Sequence, residues 1–129
     1  MASLVIRIPH LPTFRPNQSG QGWSGKARAD DKKGAIPFVR QACQRAGCPD
    51  VGPVRTLATQ VTLVVTMHFP TKRAWDCDNA LATIKGFIDA LVYVGVISDD
   101  NCKVIKRITI ECVLGSPEAP LVVLDLEAL

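Results

Sequence analysis

The chain has 129 residues, a hydrophobic share of 47% and a formal net charge of +3. That length makes one domain with a core burying about two-thirds of the unfolded surface, and no run reaches the ~18 apolar residues of a membrane-spanning helix. Five cysteines at 43, 48, 77, 102 and 112 form no C-x-x-C pair and have no histidine near enough for a zinc site, so they read as reduced thiols.

The first element is LVIRI at 4–8, a short β-type run closed by Pro9 and Pro12. From there to about residue 33 the chain is rich in Pro, Gly, Ser, Asn and Lys, which predicts an irregular basic loop over about 9–33 within a single domain, 1–129. GAIPFVRQACQRAG, 34–47, sets Ile36, Val39, Ala42 and Cys43 at helical intervals, with Pro37 in the first turn and Gly47 as C-cap. After PDVGP, the stretch TLATQVTLVVTMHF puts Leu57, Thr59, Val61, Leu63, Val65, Met67 and Phe69 on one face of a long strand. A second helix is predicted from Asp78 to about Tyr93, its apolar stripe Leu81, Ile84, Ile88 and Leu91. KVIKRITIECVL and LVVLDLEAL close the chain as strands. The order β-α-β-α-β-β predicts an α/β domain, a mixed β-sheet flanked by two main helices.

The modest net charge conceals an asymmetry. Residues 1–75 carry eleven basic and three acidic side chains, net +8, whereas 76–129 carry four and nine, net −5. A solvated surface needs both signs; a polyanion held by the basic part and cations held by the acidic part would use the same pattern.

The acids concentrate in WDCDNALATIKGFIDALVYVGVISDD, 75–100, beside the most apolar segments. With Asp78 capping the second helix, positions 78, 82, 85 and 89 follow one line, so Asp78, Lys85 and Asp89 share a face. Asp76 adds to the same end, and a short sheet would return Asp99 and Asp100 beside it. Singly, these residues read as a helix cap, turn residues and an exposed i,i+4 pair. Together they repel one another unless a cation sits among them, and a hard divalent ion such as Mg²⁺ takes carboxylate oxygens.

Three other motifs fail. An EF-hand loop from Asp76 would need an oxygen ligand at Ala80, glycine at Leu81 and glutamate at Phe87. A D-x-D-x-[ST] phosphatase would need a hydroxyl at Ala80. GQGWSGKA, 20–27, lacks both the preceding strand and the final Ser or Thr of a P-loop, so no nucleotide cofactor is expected.

The acidic stretch resembles the RusA-type Holliday junction resolvases of bacteria and their phages. Their pattern of D-x-D-N, a lysine, D-A-L, a glycine and a D-D pair corresponds to Asp76-Cys77-Asp78-Asn79, Lys85, Asp89-Ala90-Leu91, Gly95 and Asp99-Asp100. One spacing departs from the family: its lysine follows the asparagine by three positions, and here Asn79 and Lys85 are six apart. Three extra helical residues shift the side chain by about 60° and ~4.5 Å.

The resemblance implies a RusA-like fold and a cytoplasmic, homodimeric endonuclease, dependent on Mg²⁺ with Mn²⁺ as substitute, that nicks four-way branched DNA symmetrically and leaves 5′-phosphate ends. It assigns Asp76, Asp78 and Asp100 to the metal and Lys85 to the essential lysine, with Asn79, Asp89 and Asp99 in support. Lys72 and Arg73, next to the acidic stretch, and Lys26, Arg28, Lys32 and Lys33 would contact backbone phosphates, with Arg7 and Arg15 further candidates. Trp75 suits either stacking on a base or core packing; Trp23 is a DNA-contacting aromatic or a loop anchor. The alternative function is a non-catalytic branched-DNA-binding protein of the same fold, with activity lost through the displaced lysine. A third reading is a metal-binding or interaction protein whose acids merely balance its basic half.

Overall fold

The computed structural model describes residues 3–11, 25–47, 60–74, 80–82 and 84–129, and of 25–33 the course of the backbone. It is a mixed α/β fold in which a four-stranded sheet carries its helices on one face. The strands are β1 (Ser3–Ile8), β2 (Val61–His68), β3 (Ile105–Val113) and β4 (Leu121–Ala128); the helices are α1 (Gly25–Arg45) and α2 (Lys85–Tyr93). The described elements therefore run β-α-β-α-β-β along the chain.

Spatial order differs from chain order. The sheet reads β1-β4-β2-β3. The last strand inserts between the first two, antiparallel to both, and β3 lies parallel to β2 at the edge. Period-two alternation makes these strands: Leu4, Ile6 and Ile8 of β1 and Val61, Leu63, Val65 and Met67 of β2 are all buried, and Phe69 continues the β2 face. Leu124 and Leu126 of β4 stand between them, paired with Ile6 and Leu4 on one side and Val65 and Leu63 on the other. Each such side chain contributes about 1.5–3 kcal/mol on full burial. Leu57 and Thr59, expected on the same strand face, lie outside the described residues.

Helix α1 corrects an expectation. It begins at Gly25, not near residue 34, so the predicted loop is helical over its last nine residues. KARADDKK lacks an apolar stripe to show the period, while its Lys, Ala and Arg are good helix formers. Pro37 consequently falls in the helix interior rather than its first turn, where it removes one backbone hydrogen bond. The C-terminal half is held by burial of Ala35, Val39, Ala42 and Cys43. Gly47, at φ 86°, ends it, its N–H donating to the Gln44 carbonyl at 3.1 Å.

Helix α2 is shorter than predicted: residues 80–82 are helical, and the regular helix starts at Lys85 after Ile84. Ile84, Ile88 and Leu91 are buried as the stripe requires, but Leu81 is 43% exposed. It sits ahead of the regular helix, out of phase with its buried face. The helix ends in a Schellman pair, Gly95 N–H to the Val92 carbonyl at 3.1 Å and Val96 N–H to the Leu91 carbonyl at 3.0 Å, with Gly95 at φ 86°. Among the described residues no helix is long and apolar enough to cross a membrane.

Candidate functional site

The chemistry collects where α2 begins and β3 is about to begin. Lys85 is the first residue of α2, whose preceding residue Ile84 offers no capping side chain and whose first turn holds no acid. A cation there opposes the helix dipole, and two carboxylates offset it. Lys85 Nζ donates to Asp89 Oδ1 at 2.8 Å, one turn along the same helix. It also donates to Asp100 Oδ2, fifteen residues away in the turn leading to β3. The bridge ties helix to turn.

Burial works to lower the Lys85 ammonium, but hydrogen bonds to Asp100 and Asp89 and their negative charge outweigh it and hold its pKa above the ordinary value. Conversely, the hydrogen bond from Lys85 holds the Asp100 carboxyl below the usual carboxylate range, against a smaller effect of burial. Both groups are ionised across the neutral range.

The turn carrying Asp100 is organised by its neighbours. Asp99 accepts from the Asp100 backbone N–H at 2.7 Å and from the Asn101 amide at 3.0 Å, and Asn101 in turn accepts from the Lys103 N–H at 2.9 Å. Such Asx contacts hold a turn open to solvent without a core. Asn101 was not singled out by sequence; an Asn directly after an acidic pair at a turn is the signal that would have found it.

Lys85 and Asp100 form the polar side of a cleft of about 340 Å³, whose apolar wall is Leu81, Ile88, Ile105 and Ile108. This wall was also not anticipated, since it joins residues from three separate segments. An apolar cleft with two convergent charges is the form in which binding sites usually occur.

Other expected residues fall elsewhere. Lys72 and Arg73 are exposed and, among the described residues, form no ion pair. The Lys72 stem lies over Gly115, where an added Cβ would meet its Cγ at 3.0 Å. Gly115 follows the end of β3, while Ile105 and Ile108 near its start line the cleft, so Lys72 stands toward the opposite end of that strand from the Lys85 bridge. Arg7 faces solvent on β1, 3.6 Å from Glu118. Asp76, Asp78, Asn79, Trp75, Trp23 and Arg15 lie outside the described residues; Lys26, Arg28, Lys32 and Lys33 fall on the α1 backbone.

Of the three carboxylates the family resemblance assigns to Mg²⁺, the described residues thus hold Asp100. Its hard oxygen donors suit that ion, but among the described residues no three of His, Cys, Asp or Glu come together as a metal site. A site would need Asp76 and Asp78. No protein-family model matches the chain, and no curated protein matches it.

Proposed function

We propose that the chain is a RusA-like, Mg²⁺-dependent endodeoxyribonuclease that resolves four-way DNA junctions by paired nicking and works as a homodimer in recombination and repair. The observation that carries this reading is the Lys85 bridge: the lysine and the D-D pair of the motif, distant in sequence, meet beside a cleft. Asp76 and Asp78 of the same motif precede that helix closely in sequence. Asp76, Asp78 and Asp100 would hold Mg²⁺, or Mn²⁺ in its place, which when bound supplies an activated water and charge for phosphodiester hydrolysis. Lys85 would neutralise the scissile phosphate, with Asp89 holding its ammonium and Asp99 the turn. Exposed Lys72 and Arg73 would bind flanking phosphates.

The test is incubation with a synthetic four-way junction in Mg²⁺, beside linear duplex and an Asp76→Asn control. Paired nicks on opposing strands of the junction, absent from duplex and control, are expected. Cleavage indifferent to Asp76, or no cleavage, would overturn the reading. A second reading draws on the same bridge: Lys85 is occupied by two carboxylates and displaced from the family spacing, as in a branched-DNA binder without activity. Tight junction binding with no nicks would select it.

A further inference from the structure

The two acids that hold Lys85 differ in what they are free to do. Asp89 lies one turn along α2 and accepts from Lys85 Nζ at 2.8 Å. Asp100 comes from the turn before β3, and it is the described carboxylate that the proposed function assigns to Mg²⁺. The ammonium therefore sits on Asp100 Oδ2, a donor atom that the ion would use. Asp99 takes no part in the bridge, since its oxygens accept from the Asp100 N–H and the Asn101 amide. The side chains of Lys85, Asp89 and Asp100 keep 32%, 24% and 27% of their surface exposed, so an ion reaches the bridge without unfolding it.

We propose that Lys85 is the built-in counter-ion of the unloaded site, giving up Asp100 and keeping Asp89 when a divalent cation binds. Two carboxylates converging on one point repel each other without a cation between them, and the chain supplies that cation itself. A doubly charged ion on Asp100 outweighs the single charge of that carboxylate, so the net force on the ammonium changes from attraction to repulsion. Asp89 can retain it, because an i,i+4 pair on one helix needs no backbone movement and the flexible lysine stem swings its donors about a fixed Cα. Asp89 is then a positioning residue: it decides that Lys85 leaves the metal carboxylate and stays beside the site. The exchange rests on the proposed function for the ion at Asp100, and it explains how a lysine occupied by two acids is released for a phosphate.

Mn²⁺ binding to the full chain without DNA, read from the free-ion electron paramagnetic resonance signal, tests the exchange. Lys85→Met and Lys85→Gln should each tighten Mn²⁺ about fivefold or more, because the ion no longer has an ammonium to displace. Asp89→Asn should weaken binding about fivefold while Lys85 is present, and less than about twofold in the Lys85→Met chain. Loss of a ligand, or of a nearby negative charge alone, would weaken binding equally in both backgrounds, and that result would overturn the proposal. Lysine variants that bind Mn²⁺ no tighter than the wild type would do the same, as would no binding by any of these proteins up to ~10 mM. Circular dichroism checks that each variant is folded, and at one fixed Mg²⁺ concentration the urea midpoint should rise more for Lys85→Met than for the wild type. Junction incubation keeps the two readings apart. Paired nicks with equal weakening retain the nuclease and remove the exchange, whereas coupled variants without nicks retain the exchange and remove the nuclease.

Discussion

Lys85 is the residue on which the site turns, because it is half-buried at the wrong end of a helix for a cation and has two carboxylates against it. Replacing it with Met leaves Asp89 and Asp100 facing each other without a counter-charge. That should cost about 1–2 kcal/mol, between the values for exposed and buried pairs, measured as a lower urea midpoint at pH 7. The pair also sets a pH dependence. Asp100 is depressed in the folded chain, so its contribution is present above the unfolded carboxyl value of about 4 and is lost as pH falls through the lower folded value. Lys85 is raised, so its contribution is full below its ordinary 10.5 and is lost as pH rises through the higher folded value. Stability from the bridge should therefore be flat between about pH 5 and 10, and Asp100→Asn should flatten the acid limb of a urea-midpoint titration.

At the scale of elements, the end of α2 decides where Asp100 goes. Gly95 at φ 86° reverses the chain after Val94, and the turn then runs back to deliver Asp100 to Lys85. A Cβ at that φ is strained, so Gly95→Ala should lower stability by about 1–2 kcal/mol in chemical denaturation, with the loss concentrated in α2 by hydrogen exchange. The elements themselves were largely legible in the sequence. Leu63, Val65 and Met67 declare a strand by period two, and Ile84, Ile88 and Leu91 a helix by period 3.6, because one face of each is buried. The start of α1 was not legible: its charged N-terminal half has propensity but no apolar period. Leu81 fits the helical spacing, yet it lies before the regular helix and faces the cleft.

Across the whole molecule, the charge asymmetry is partly spatial. Lys72 and Arg73 stand beyond one end of β3, and the acids of the bridge cluster near its other end. A duplex arm spanning these two places would meet cations at one and, in the proposed enzyme, the reacting centre at the other. Junction affinity should fall steeply with salt, and the paired change Lys72→Ala with Arg73→Ala should reduce the log–log salt slope by about two while sparing the fold. A slope unchanged by the double variant would remove these residues from the interface.

The amino-acid sequence by itself determined the strands and helices that carry a buried stripe, the basic-to-acidic polarity, and the candidates Lys85, Asp89, Asp99 and Asp100. These are local properties: side-chain alternation and charge are written residue by residue. Three decisions belonged to tertiary structure alone. β4 inserts between β1 and β2, Lys85 meets a carboxylate fifteen residues away, and Ile105 and Ile108 join Leu81 and Ile88 around one cleft. Each depends on which distant segments pack together, and that choice minimises the exposed apolar area of the whole chain rather than of any one segment. For the same reason only the assembled sheet reveals that, among the described strands, β3 lies at an edge and β4 in the interior.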